Sequence, residues 1–207
     1  GYSNRELGWE KNKQYDLGID LAFFNRINLN VDLYKRTSDI VMPANIPNFN
    51  GIASSVYMNS GQVENKGIEL SLNAKVLQGA FNWETTLNWS MNKNKILSLA
   101  NNQTQLANGK AGTKWGNVIR NIVGRPMGDM YMLKVIGTYN TEEDLQKYPK
   151  FGTEGIGDLI FEDTNGDQVV NANDYQHVGN YQPDFTYGWN NKFSYKNFDL
   201  AVTIDGQ

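Results

Sequence analysis

From Phe81 to Asn92 the chain alternates without a break, with Phe81, Trp83, Thr85, Leu87, Trp89 and Met91 at odd positions and Asn82, Glu84, Thr86, Asn88, Ser90 and Asn92 at even ones. Successive side chains of a β-strand project to opposite faces, so the pattern dictates a strand with one apolar and one polar face. At about eleven residues it exceeds the five or six usual in soluble sheets and reaches what a tilted strand needs to cross a bilayer.

The same period recurs in five further segments, giving six strands as three hairpins. Tyr15, Leu17, Ile19, Leu21 and Phe23 alternate with Asp16, Gly18, Asp20 and Ala22, turn near Asn25 and Arg26, and return through Ile27, Leu29, Val31 and Leu33. Ile68, Leu70, Leu72, Ala74 and Val76 run to a turn at Gln78 and Gly79, and the Phe81 segment returns. Phe185, Tyr187, Trp189, Phe193 and Tyr195 turn at Lys196 and Asn197 and return through Phe198, Leu200, Val202 and Ile204. Links inside hairpins are tight, while those between them are long: about 37–65, rich in Asn, Ser and Gly and punctuated by Pro43 and Pro47, and about 93–184, nearly a small domain. Short turns at one rim and long loops at the other are the habit of outer-membrane barrels.

A ten-residue strand rises about 33 Å, and a tilt of roughly 40° leaves about 25 Å along the normal, the height of a barrel's apolar band. The Asn, Asp, Glu and Lys of the other face would be costly in a dry core and are at home in a wet lumen. The expected fold is all-β: an antiparallel transmembrane β-barrel fragment of about six strands, with 1–207 part of one barrel domain and 93–184 a large extracellular loop insertion. Six strands leave two open edges, so the barrel must be larger. A soluble sandwich shows the same local alternation, so a secreted carbohydrate-binding β-sandwich with a calcium loop is the alternative.

Composition excludes several classes. With 40% hydrophobic residues, a mean hydropathy of -0.56 and no apolar run of about eighteen, no transmembrane helix is expected. Five Trp, 11 Tyr and 9 Phe are ample for the ring girdles of a barrel. No cysteine means no disulfide or thiolate site, and a net charge of -3 argues against nucleic acid as a partner. No charged n-region leads into an apolar h-region, so the chain reads as one that is not exported or as an internal piece.

Several stretches carry a resemblance: Leu7-Gly-Trp-Glu10 with Tyr15-Asp-Leu-Gly-Ile-Asp20, Gly61-Gln-Val-Glu-Asn-Lys-Gly-Ile-Glu-Leu70, Asn92-Lys-Asn-Lys-Ile-Leu97, Val123-Gly-Arg-Pro-Met-Gly128, Gly157-Asp-Leu-Ile-Phe-Glu-Asp-Thr-Asn-Gly-Asp167 and Pro183-Asp-Phe-Thr-Tyr-Gly188. In this order they resemble the later part of the barrel of the SusC/RagA family, TonB-dependent outer-membrane transporters of Bacteroidota. The resemblance implies a 22-stranded barrel plugged by an N-terminal domain, residence in the bacterial outer membrane, and import of oligosaccharides or peptides. It also implies a SusD-like surface lipoprotein as lid and energy from TonB through ExbB and ExbD. The plug and TonB box are expected upstream of Gly1.

In the long link, Asp163, Asn165, Asp167, Val169, Asn171 and Asp174 occupy positions 1, 3, 5, 7, 9 and 12 of a calcium-type loop, Val169 through its carbonyl. Gln168 stands where the sharp turn wants Gly, and Asp174 has a shorter arm than the usual Glu. A structural Ca²⁺ and a metal-free Asx-rich turn both remain open. His177 is the single histidine and accompanies no catalytic motif, so it reads as a solvent-exposed or hydrogen-bonded bystander and the chain as no enzyme. Glu142, Glu143 and Asp144 are expected in the first turn of a short helix capped by Thr141. Trp115, Tyr131, Tyr139, Tyr148 and Phe151 either stack on a ligand or pack among themselves, and no substrate residue is assigned.

Overall fold

The computed structural model describes residues 4–5, 7–45, 55–110 and 117–207. In chain order the strands are β1 (Asn12–Phe23), β2 (Ile27–Asn45), β3 (Ser55–Leu77), β4 (Phe81–Ser98), β5 (Gln105–Lys110) and β6 (Asn117–Ile122). They continue as β7 (Asp129–Met132), β8 (Val135–Thr138), β9 (Leu159–Phe161), β10 (Gln176–Asn180), β11 (Thr186–Tyr195) and β12 (Phe198–Gly206), with one α-helix among the described residues, α1 (Glu142–Lys147). Two units divide the chain, Gly1–Thr104 with Val123–Pro126 and Gln182–Gln207, and Gln105–Ile122 with Met127–Tyr181.

All six alternating segments form one antiparallel sheet in the first unit, in the order β1-β2-β3-β4-β11-β12. Directly opposed residues of a ladder share a face. One row therefore reads Ile19, Val31, Leu70, Trp89 and Tyr187, and the neighbouring row Asp20, Asn30, Ser71, Asn88, Gly188 and Asp205. Register and alternation agree on every strand, so one face is apolar and the other polar across the sheet. The turns are as tight as the sequence requires, with left-handed Phe24, Asn25 and Lys196 taking up the reversal.

Rings collect at two levels of the apolar face. Phe81 and Trp83 stack on Phe193 at 6.2 and 5.8 Å, and Phe185 stacks on Trp89 and Tyr187 at 6.4 and 6.3 Å. Trp83 and Trp89 lie six residues apart on β4, about 20 Å along the strand. Between the levels the polar atoms of this face are paired: Trp83 Nε1 donates to the Oδ1 of buried Asn191 at 3.0 Å, and Trp189 Nε1 donates to Thr85 Oγ1 at 2.8 Å. Polar groups tolerated in hydrocarbon are satisfied in this way.

The apolar face is open rather than packed: Leu17 is 60% exposed and Leu200 59%. A sandwich would bury these side chains, so the soluble alternative loses its core. The buried apolar residues of this unit, Val63, Ile96, Leu99 and Ala100, sit instead at the far end of β3 and β4, where Ile96 N–H donates to Arg125 O and Gly124 N–H to Ile96 O.

One expectation is corrected. The link read as 37–65 is largely strand, because β2 and β3 continue as a ladder to Asn45 opposite Ser55, with a bulge at Ile40 and Val41. Pro43 lies inside β2, and Pro47 lies outside the described residues. β4 likewise runs on to Ser98. Beyond Lys35, Lys66 and Lys93 both faces carry polar side chains, so the alternation stops while the backbone ladder does not.

The second unit holds a four-stranded sheet, β10-β7-β6-β5, and a ribbon, β8-β9. Leu133, Phe161 and Val170 form its core, with Phe151 and Tyr175 against it. α1 begins as expected: Thr141 accepts from Asp144 N–H, and the Asp144 carboxylate accepts from the Thr141 and Asn140 N–H groups. Those donors, led by the Asn140 amide, hold the Asp144 carboxyl below the usual carboxylate range.

Candidate functional site

The polar face of the six-stranded sheet is a lattice of short side-chain contacts. Ser71 donates to Asn88 at 2.9 Å, Thr86 to Asn73 at 2.8 Å, Thr203 to Asn190 at 2.6 Å, and Asn30 to Asp20. A hollow of about 390 Å³ opens among Asp32, Glu69, Ser71, Asn88, Ser90 and Asp205. Asp32 and Glu69 are directly opposed in register. Two carboxylates so placed are destabilising in a low dielectric and tolerable only where water screens them, which makes this the wet side of the wall.

The motif of the second unit is a connected turn. Asp163 accepts from Gly166 and Gln168 N–H at 2.7 and 2.9 Å, Asn165 from Asp167 N–H at 2.9 Å, Asp167 from Val169 N–H at 2.9 Å, and Asn171 from Asn173 N–H at 2.8 Å. Gly166 and Gln168 are both left-handed, at φ 73° and 65°, so Gln168 adopts the turn that Gly would favour at that place. Asp174 is fully buried and closes the loop, accepting from Asn171 N–H at 2.8 Å and from Thr164 N–H and hydroxyl at 3.0 and 3.2 Å. Burial pushes the Asp174 carboxyl up, but the Asn171 and Thr164 donors outweigh it and hold the carboxyl below its ordinary value. Each carboxylate thus has backbone donors, and among the described residues no three acidic or histidine side chains converge as a metal site. Calcium would have to use the remaining lone pairs of these oxygens and the Val169 carbonyl.

His177, on β10, takes the second of its two expected forms, a side chain held by a polar partner. Its Nε2 lies 3.3 Å from Oδ1 of Asp129, which is 1% exposed, and its ring meets Tyr131 edge-on at 5.5 Å. Asn180 Nδ2 donates to the same Asp129 oxygen at 2.9 Å, and Arg120 lies over the Tyr131 ring at 4.9 Å. No local pattern marks Asp129, because its partners arrive from β10, some fifty residues away in sequence. Of the aromatic candidates, Tyr139 is buried with its hydroxyl donating to Pro149 O at 3.0 Å, and Phe151 packs edge-on against Phe161. Both are packing residues. Tyr131 joins the His177 cluster, Tyr148 is half-buried under the Lys147 ammonium, and Trp115 lies outside the described residues.

A wall of long antiparallel strands, apolar with two ring levels on one side and wet on the other, defines a membrane-barrel segment. The sequence profile of the family described as TonB dependent receptor-like, beta-barrel, matches residues 1–205. The chain belongs to this family. It is 34% identical over 210 residues to TonB-dependent receptor P3 of Formosa agariphila, covering 97% of this chain and 20% of the relative. It is 28% identical over 209 residues to TonB-dependent receptor SusC of Bacteroides thetaiotaomicron, covering 97% of this chain and 20% of the relative. The solved structure of the RagAB peptide transporter superposes with a TM-score of 0.75 at 24% identity, covering 98% of this chain and 21% of that one. The chain therefore spans about a fifth of the length of the curated relatives it matches.

Proposed function

We propose that this chain is wall and loop-side structure of an outer-membrane, TonB-dependent importer that takes up oligosaccharides or peptides too large for passive pores. The observation that carries the reading is the single register that keeps Ile19, Val31, Leu70, Trp89 and Tyr187 on one side and Asp20, Asn30, Ser71, Asn88 and Gly188 on the other over five strands. The whole importer would close a barrel of about 22 strands, the number the SusC/RagA resemblance implies. It would work with a SusD-like surface lipoprotein and draw energy from TonB, ExbB and ExbD. No catalytic step is assigned, and the polar face offers hydrogen-bonding groups for cargo. Uptake of labelled oligosaccharides and oligopeptides by cells carrying the full-length protein tests this: uptake should need both the protein and TonB, and transport undiminished without TonB would overturn the reading.

Ca²⁺ at Asp163, Asn165, Asp167, Val169, Asn171 and Asp174 is a separate proposal of structural stapling. Its support is the ligand spacing and the left-handed Gln168. Calorimetry of the full-length protein should show a melting transition raised by Ca²⁺, and Asp163→Ala with Asp167→Ala should abolish that rise. Identical traces with Ca²⁺ and with chelator would remove the ion.

A further inference from the structure

The apolar face ends abruptly in a row of lysines. After Leu17, Leu33, Ile68 and Met91, the next row on the same face of β1–β4 is Tyr15, Lys35, Lys66 and Lys93, and the row beyond is Lys13, Thr37, Glu64 and Lys95. All five lysines are exposed. Glu64 is the one acid in these two rows for five lysines: it pairs with Lys35 at 2.9 Å and is also felt by Lys66 and Lys95. Strands spaced about 4.8 Å apart bring the Cα atoms of Lys35, Lys66 and Lys93 within about 10 Å, the scale of one phosphorylated headgroup. Ammonium groups gathered so closely repel one another unless an anion intervenes. At the turn end the corresponding rows hold Phe81, Tyr195 and Phe198, and the strand lysines nearest that end, Lys75 and Lys192, belong to the polar face opposite Glu84. The basic band thus exists on the outward face at the end away from the tight turns.

We propose that Lys35, Lys66 and Lys93, flanked by Lys13 and Lys95, are a docking surface for the phosphate-bearing headgroup of an anionic lipid in the leaflet on the loop side. Its acyl chains lie along Leu17, Leu33, Ile68 and Met91. Lysine stems reach along apolar surface while their ammonium groups stay at headgroup level, and juxtamembrane lysines gain affinity for anionic lipid in that geometry. The inference rests on the outer-membrane reading above and names the lipid class that such a barrel would hold.

The test uses the full-length protein in mild detergent, titrated with diphosphorylated lipid A and with the same lipid stripped of phosphate. Lys35→Gln/Lys66→Gln/Lys93→Gln should weaken binding of the diphosphorylated lipid by about tenfold to a hundredfold. Lys66→Gln/Lys93→Gln, which leaves the Lys35–Glu64 pair intact, should show most of that loss, and Lys75→Gln/Lys192→Gln none. Binding of the phosphate-free lipid should be weak and equal throughout. Equal affinity of wild type and both lysine-row variants, an equal loss in the Lys75/Lys192 control, or full competition by millimolar inorganic phosphate would overturn the proposal. Binding of an acidic protein with no preference for the lipid would do the same. Heat-modifiable migration and membrane fractionation are run alongside: a barrel present in the outer membrane with no lysine effect sinks this proposal alone, while a protein absent from that membrane sinks the importer reading first.

Discussion

Asp174 is the residue on which the 163–174 loop depends, since a buried carboxylate with three donors cannot be lost without leaving those donors unpaired. Asp174→Ala should cost about 1–3 kcal/mol of local stability, read as faster amide exchange at Thr164 and Asn171. Acid should act through the same group. Its folded carboxyl is held below the usual range, so its contribution is present above the unfolded value of about 3.9 and is lost as pH falls through the lower, folded one. Exchange at Thr164, corrected for its intrinsic rate, should stay protected to about pH 4 and rise below it; a rise already complete at higher pH would point to another group. At this scale the sequence was a partial guide. The spacing of Asp163, Asn165 and Asp167 marks a tight Asx turn because those side chains reach their own backbone, whereas the Asp129–His177 contact joins β7 to β10 and leaves no local trace.

The strands show where alternation informs and where it falls silent. It located the turns at Asn25, Gly79 and Lys196 because inside the bilayer every second residue must be apolar. It lost β2 after Leu33 and β3 before Ile68 because there the outward face turns polar while the inward face of β3 carries buried Val63 opposite Ile96, so the period-two contrast between the faces disappears. The face assignment has a direct test: Leu70→Arg, on the outward face, should destabilise the full-length barrel by about 2–4 kcal/mol if it lies near mid-membrane, and Ser71→Arg, on the wet face, by far less. Urea titration of the folded band would measure both, and equal costs would contradict the two-faced wall. Gly67 is a second element-level constraint. A Cβ there would stand 2.4 Å from the Met91 carbonyl and 2.5 Å from the Tyr34 hydroxyl, so Gly67→Ala should lower the unfolding midpoint, and adding Tyr34→Ala should relieve only the side-chain half of the clash.

The whole wall is bounded by β1 and β12, each paired on one side only among the described strands. In lipid an unpaired ladder is not tolerated, and in water it templates association. The charge sum hides a related point: a chain of net charge -3 nevertheless carries a lysine row on one face and a carboxylate-rich hollow on the other, because register, not composition, gathers residues that are scattered in sequence. Folding of this segment should therefore depend on neighbours that pair its edges. Hydrogen exchange of the 207 residues refolded alone in micelles should protect β3 and β4 while Asn12–Phe23 and Phe198–Gly206 exchange freely. In the full-length barrel those same two strands should become as protected as β3. The contrast separates intrinsic strand propensity from ladder closure, and edges equally slow in isolation would mean that the segment completes its own sheet and is not part of a larger ring.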